Sequence, residues 1–304
     1  MGSPLLRTTV SLLLLQLVSR LFSFGLNQFL LRSTSPAALG IATMSLEVLR
    51  DTTLFLLREG IRSAVLVSCL LFPFVYFIHF CTQRTRGDGK SILLRRQTHQ
   101  IPLLLSPLLL PLFLLYAIYP PTPLPPSFHP TLLLYLLSTL IELLAESSYL
   151  QTLENWETLT TKRVKAEGLA VGIKAVGTLL AVRYGGEGGG LLGFGVGQVA
   201  YSLVLLGGFS SIVRSFPTSF IIRPIYSPTP PRTGSTNESL QGNSKIDQER
   251  TKGIYFDSGL TSLSWALTKQ SFVKQFLTEG DKIVVGRLSK PENQGGYAIA
   301  LNYG

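Results

Sequence analysis

The sequence predicts an all-α fold, a polytopic bundle of membrane helices, and three observations predict it. The 304 residues are 46% hydrophobic and only 14% charged, with a mean hydropathy of +0.33, whereas soluble domains carry about 25% charged residues. Several apolar runs reach the ~20 residues that a helix needs to cross a bilayer. Polar residues recur within most of these runs at helical spacing, so five of the six predicted spans carry a polar stripe.

The first span is predicted at residues 10–31. Its polar residues share one helical face because they recur at intervals of four, three and four: Gln16, Arg20, Ser23 and Asn27. The second span is predicted at residues 37–57, after Ser35 and Pro36. Serine is a favoured helix cap and proline a favoured first helical residue, so this pair marks a helix start.

The stretch of residues 46–62 is the most informative in the chain. Its charged residues fall within about 120° on one helical face: Glu47, Arg50, Asp51, Arg58 and Arg62. Each charge at the centre of a bilayer costs at least ~3 kcal/mol. This face is therefore predicted to contact other protein or a water-filled cavity, and not lipid.

Residues 65–81 are apolar, but a crossing there would place the basic segment 84–96 outside the cytoplasm, against the distribution of positive charge in membrane proteins. We therefore expect this run to be re-entrant, interfacial or foreign to the natural protein. An insert at residues 65–83, such as a translated intron, is a hypothesis. Mature transcripts that uniformly contain these codons would contradict it.

Four further spans are predicted at residues 101–119, 131–150, 168–184 and 191–213. The last three of them carry polar stripes: Tyr135, Ser138, Thr139, Glu142, Glu146 and Tyr149, then Lys174 and Thr178, then Gln198 and Ser202. Residues 154–165 are predicted to be a charged loop, and the glycine run 185–190 a turn.

Residues 214–255 are rich in Pro, Ser, Thr, Asn and Gln and are predicted to be a cytoplasmic linker. They divide an N-terminal transmembrane domain, residues 1–213, from a second one that begins in residues 256–304. A helix is predicted at residues 265–279, with Gly280 as a candidate break. Most Lys and Arg residues fall in cytoplasmic segments if the N-terminus is cytoplasmic, which is the topology we predict.

The net charge of +10 is attributed to these loops, because no nucleic-acid recognition motif is present. Two cysteines and three histidines argue against a disulfide framework and a metal site. The sequence has no phosphate-binding loop, catalytic triad or cofactor motif. We therefore predict a non-enzymatic membrane protein without a cofactor.

The stripes leave two interpretations open. They are either hydrogen-bonded seams between helices or the walls of a hydrated cavity. The arginines at positions 20, 50 and 58 either pair with the carboxylates of other stripes or receive an anionic head group, since guanidinium matches phosphate geometry. Glu142 and Glu146 are either partners of these arginines or carriers of a cation.

Two stretches closely resemble the eukaryotic endoplasmic-reticulum oligosaccharide translocation proteins: TTLFLLREGIR at 52–62 and KQSFVKQFLTEGDK at 269–282. Residues 12–32 and 142–149 support the resemblance. It implies the first six-helix lobe, and the start of the second, of the multidrug, oligosaccharidyl-lipid and polysaccharide exporter fold. It also implies a multi-pass protein of the endoplasmic reticulum membrane that moves dolichyl-pyrophosphate-linked oligosaccharide between leaflets for N-glycosylation.

On this resemblance the lipid-linked oligosaccharide and membrane lipids are the expected partners, and hydrophobic windows between helices would admit the dolichol tail. The candidate substrate-binding residues of the cavity come from the stripes and from the helix predicted at 265–279: Arg20, Asn27, Glu47, Arg50, Asp51, Arg58, Arg62, Glu142, Glu146, Lys174, Lys269 and Lys274. Two alternatives remain. One is a non-transporting assembly factor of the same pathway, and the other is an ion-coupled multidrug antiporter that uses Asp51, Glu142 and Glu146.

Overall fold

The computed structural model describes Leu17, Gly25 and Gln28 singly, and residues 32–75, 98–120, 125–154, 156–185, 189–213 and 258–303. Every regular element within these residues is helical, which confirms the all-α class. Most of the first predicted span and the predicted linker lie outside the described residues.

The first three described elements follow one another without a gap and form one continuous helix. Helix α1 (Pro36–Gly40) passes through a π-helical segment (Ile41–Glu47) into helix α2 (Val48–Val75). The predicted start is confirmed, because the Ser35 side chain accepts a hydrogen bond from the backbone N–H of Ala38 at 3.3 Å. The predicted end at residue 57 is wrong. Residues 58–72 contain no proline to stop the helix, and it runs on through 65–75.

The third predicted span is not one helix in the structure. It consists of helix α3 (Ile101–Leu104), a 3₁₀ turn (Ser106–Leu108) and helix α4 (Leu109–Ile118). The sequence explains the division, because Pro107 lies in the 3₁₀ turn. Proline cannot donate a backbone hydrogen bond and collides with the preceding helical turn.

The next three helices are long. They are α5 (Phe128–Glu154), α6 (Trp156–Tyr184) and α7 (Gly189–Val213). The predicted charged loop at 154–165 is therefore wrong, since α6 begins at Trp156. Lys, Arg and Glu are good helix formers, and Arg163 lies 3.8 Å from Glu167 one turn later, so this charged stretch extends the helix.

The last two described helices are α8 (Ser258–Leu288) and α9 (Pro291–Tyr303). The predicted break at Gly280 is wrong. One interior glycine costs a helix only about 1 kcal/mol relative to alanine, and helix-forming residues flank it on both sides.

Glycines permit close contacts between these helices. Helices α6 and α7 approach so closely that a methyl group on Gly197 would collide with Oγ1 of Thr178. Helix α8 packs along α2, and a methyl group on Gly60 would likewise collide with Oγ1 of Thr268. Helix α9 crosses α1. Small residues at helix contacts are typical of membrane bundles, where helix association depends on close packing.

The distribution of polarity is the reverse of that in a soluble protein. Glu142 and Glu146 are 3% and 2% exposed, whereas Leu133 on the same helix is 64% exposed. Such burial of charge behind an apolar exterior is typical of membrane helices. Among the described residues, two helical stretches, Phe128–Leu153 and Gly190–Val213, are long and apolar enough to cross a membrane.

Candidate functional site

Glu142 on α5 is the centre of the charged cluster. Its carboxylate accepts hydrogen bonds from Arg50 on α2, with Nε at 3.1 Å, and from Nη1 of Arg58 at 3.4 Å. The amide of Gln198 on α7 donates a third contact at 3.2 Å. One buried carboxylate thus joins three helices, as a buried charge requires several polar partners.

One helical turn further along, Glu146 binds Arg62 in a bidentate pair. Nε and Nη2 of Arg62 donate to the two carboxylate oxygens at 2.5 Å and 2.7 Å. The guanidinium carbon of Arg62 also lies 4.0 Å from the ring centroid of Tyr149. Residues 58 and 62 on α2 are one helical turn apart, and so are residues 142 and 146 on α5. The arginines of α2 and the glutamates of α5 therefore pair at two successive levels, and we call this arrangement the ion-pair ladder.

A further ion pair joins the π-helical segment to α6. Nζ of Lys174 donates to Glu47 at 2.6 Å, and Arg50 also contacts the neighbouring Asp51. A π-helix closes hydrogen bonds five residues back, and such segments occur frequently at functional sites. Here the segment ends at Glu47, the residue that contacts Lys174.

In the ion pairs of α5 with Arg58 and Arg62, the carboxylates are buried and the arginines are partly exposed. The side chains of both Glu142 and Glu146 are 2% exposed, whereas those of Arg58 and Arg62 are 22% and 23% exposed. The side chain of Asp51 is 54% exposed. The carboxylates of α5 therefore hold the arginines in place, and parts of the arginines remain accessible.

A cavity of about 340 Å³ lies beside this cluster, between the π-helical segment, α2, α8 and α9. Its charged lining comes from Glu47, Asp51, Glu279 and Lys282. Lys282 is held 2.8 Å from Glu279, so the wall contains both signs of charge. A cavity with such a lining suits a hydrated, polar group better than an apolar one.

The structure brings together most of the predicted site residues: Glu47, Arg50, Asp51, Arg58, Arg62, Glu142, Glu146 and Lys174. Of the two interpretations left open for Glu142 and Glu146, the structure shows the pairing with arginines: Glu142 contacts Arg50 and Arg58, and Glu146 contacts Arg62. Arg20 and Asn27 lie outside the described residues. Lys269 and Lys274 are exposed on α8, and Lys269 lies 5.4 Å from the ring of Trp265 on its own helix.

Part of the α5 stripe is a seam between helices and not a cavity wall. Ser138 is fully buried and donates a hydrogen bond to the backbone oxygen of Gln198 at 3.2 Å. Thr139 donates to a carbonyl of its own helix, that of Tyr135, at 2.6 Å. The N-terminal part of the stripe, at Ser138 and Thr139, therefore lies in a contact between helices, and the C-terminal part, at Glu142 and Glu146, forms the ion pairs.

Sequence reasoning missed Arg163 on α6. Its guanidinium carbon lies 5.5 Å from the ring centroid of Tyr149, on a ring that also contacts Arg62. The prediction of a loop at 154–165 hid this residue. The signal was present, because Arg163 and Glu167 have the i, i+4 spacing of a helical ion pair.

Nearly the whole chain is similar to one family of known proteins. A family model described as "Rft-1: Rft protein" matches residues 5–304. A relative from Candida albicans, named Man(5)GlcNAc(2)-PP-dolichol translocation protein RFT1, is 27% identical over 96% of this chain and 49% of its own length. Relatives of the same name from Yarrowia lipolytica and Mus musculus are 30% and 29% identical over 99% and 98% of this chain.

The chain spans about half the length of these relatives, with 45% of the Yarrowia protein and 51% of the mouse protein covered. No solved structure matches the chain.

Proposed function

The chain belongs to the Rft protein family, and from this premise we propose that it acts in the translocation of dolichyl-pyrophosphate-linked oligosaccharide across the endoplasmic reticulum membrane. Relatives in the family are named for the translocation of Man(5)GlcNAc(2)-PP-dolichol. We propose that residues 1–213 are the first lobe of the exporter fold, 214–255 the cytoplasmic linker and 256–304 the start of the second lobe.

The observation that carries the proposal is the partial exposure of Arg58 and Arg62 behind an apolar exterior. Their pairing with Glu142 and Glu146 offsets the cost of holding charge inside the bundle. Each side chain stays more than a fifth exposed. A guanidinium group has five donors, so a pyrophosphate can bind to donors that the carboxylates do not use.

The other candidate residues have different roles in this proposal. Lys174 and Glu47 join the π-helical segment to α6, and the cavity beside them accepts the polar part of the substrate. Arg20, Asn27, Lys269 and Lys274 are further candidates for the substrate path. Alternating access between the two lobes would carry the substrate across the membrane.

Replacing Arg58 and Arg62 with alanine in the gene that encodes this chain tests the proposal. A hydrogen bond to a charged group contributes about 1.5–3 kcal/mol, and 1.4 kcal/mol is a factor of ten. We expect the Arg58→Ala, Arg62→Ala variant to lower N-glycosylation of a reporter protein about tenfold or more, in cells that depend on this gene. Arg183→Ala, an exposed arginine on α6, is the matched control.

Protein level in the membrane has to be measured alongside, because Glu146 would lose its arginine and destabilise the bundle, whereas Glu142 would keep Arg50 and Gln198. Normal glycosylation at a normal protein level would contradict the proposal.

One observation favours a second function. Both donors on one edge of Arg62 are used by Glu146, as expected of a purely structural pair. In a non-transporting assembly factor of the same pathway, the ion pairs would only need to hold the helices together. Exchange of the charges of Arg62 and Glu146 separates the two functions.

A further inference from the structure

We propose that Arg58 and Arg163 form a diphosphate-binding subsite beside the ring of Tyr149, and that Glu167 occupies this subsite when no ligand is bound. The inference rests on the proposed function for the ligand's identity as a lipid diphosphate. The site itself follows from contacts among α2, α5 and α6.

The ring of Tyr149 lies between two guanidinium groups. Arg62 approaches the ring centroid to 4.0 Å and Arg163 to 5.5 Å. Phe209 on α7 holds the ring through an edge contact, with centroids 5.3 Å apart at 65°. Cations over an aromatic face are attracted by its quadrupole, so the ring keeps two like charges near each other.

The hydrogen bonds show which arginines have donors to spare. Arg62 uses Nε and Nη2 on Glu146. Nε of Arg163 is buried and has no hydrogen-bond partner among the described residues. Arg58 makes one long contact, 3.4 Å to Glu142. The side chains of Arg58 and Arg163 are 22% and 20% exposed, so a ligand can reach part of each, although the buried Nε of Arg163 is not the part that it reaches.

An anion already lies near these arginines. Glu167 is within electrostatic reach of Arg58, Arg62 and Arg163. Its carboxylate is 3.8 Å from Nε of Arg163, which is too far for a hydrogen bond, and its side chain is 41% exposed. A loosely held, exposed carboxylate can be displaced by a stronger anion.

A diphosphate is such an anion. It carries more charge than a carboxylate and offers oxygens on two phosphorus atoms, so guanidinium groups from two helices can each bind one phosphate. Arg62 lies beside the subsite and has two of its five donors on Glu146, so its remaining donors can add to the binding of the diphosphate.

The test measures binding of dolichyl diphosphate to the purified full-length gene product in lipid nanodiscs, by native mass spectrometry. We expect Arg163→Ala to weaken binding about tenfold and Glu167→Gln to strengthen it severalfold, because the competing charge is lost. Lys162→Ala, an exposed neighbour, should bind as the unsubstituted protein does. Competition by inorganic pyrophosphate, but not by dolichyl monophosphate, would show that the diphosphate group is what is recognised.

The Glu167→Gln variant is decisive if Arg163→Ala lowers thermal stability, since a merely structural role for Glu167 gives no gain in affinity. Binding by the unsubstituted protein that neither substitution changes would overturn the subsite and leave the proposed function intact. Failure of the unsubstituted protein to bind dolichyl diphosphate would contradict both.

Discussion

The pair formed by Arg62 and Glu146 has a geometry that serves structure and binding equally well. A bidentate contact at 2.5 Å and 2.7 Å holds α2 against α5. The Arg62 side chain nevertheless stays 23% exposed. Removing one partner from a buried pair costs about 3–5 kcal/mol. A single substitution therefore lowers stability as well as binding, and the two effects cannot be told apart from its activity.

Exchanging the two charges separates these effects. We predict that Arg62→Glu or Glu146→Arg alone lowers the melting temperature of the purified protein, because like charges then face each other. The double variant should recover most of that loss. It should not recover glycosylation of a reporter protein, because the guanidinium group then projects from α5 and no longer from α2.

Recovery of both stability and glycosylation by the double variant would favour the assembly factor over the translocator. The unsubstituted protein and each single variant, expressed at matched levels, provide the controls.

At the scale of the helix, the stripe on α2 and its carboxylate partners on α5 could be predicted, because both follow from a period of 3.6 residues. Arg163 was missed although its i, i+4 spacing with Glu167 favours a helix, because a short charged stretch such as 154–165 is also typical of a loop. The π-helical segment was also beyond prediction. It depends on how α1 and α2 pack against α8 and α9, and no local pattern specifies it.

Close packing of α6 and α7 gives a test at this scale. A methyl group on Gly197 would meet Thr178, whose β-branched side chain is stiff, and lie 2.8 Å from the backbone oxygen of Lys174. We predict that Gly197→Ala lowers the free energy of unfolding by about 1–3 kcal/mol, the usual cost of overpacking.

Gly207 on the same helix is the matched control, because no atom lies within 4 Å of a methyl group placed there. Gly207→Ala should be neutral or stabilising by up to about 1 kcal/mol, since alanine favours the helix. Thermal denaturation in detergent measures both variants, and equal effects would contradict the packing described for α7.

At the scale of the whole molecule, the described helices surround paired charges with an apolar exterior. The α-helical class and the convergence of the charged stripes were predictable from composition and periodicity. Which stripe residues line a cavity was not, because Ser138 and Asp51 belong to equally regular stripes. Burial separates them: Ser138 is 0% exposed and lies in a seam, whereas the side chain of Asp51 is 54% exposed beside the cavity.

The central claim is that these charges converge on an interior that water reaches. Cysteine accessibility tests it most directly, in a protein whose Cys69 and Cys81 are replaced by serine. A charged, membrane-impermeant thiol reagent should modify an Asp51→Cys variant rapidly, and should leave Ser138→Cys in the seam and the outward-facing Leu133→Cys almost unmodified. Modification of Asp51→Cys as slow as that of the other two would show that the charges form a dry, structural seam.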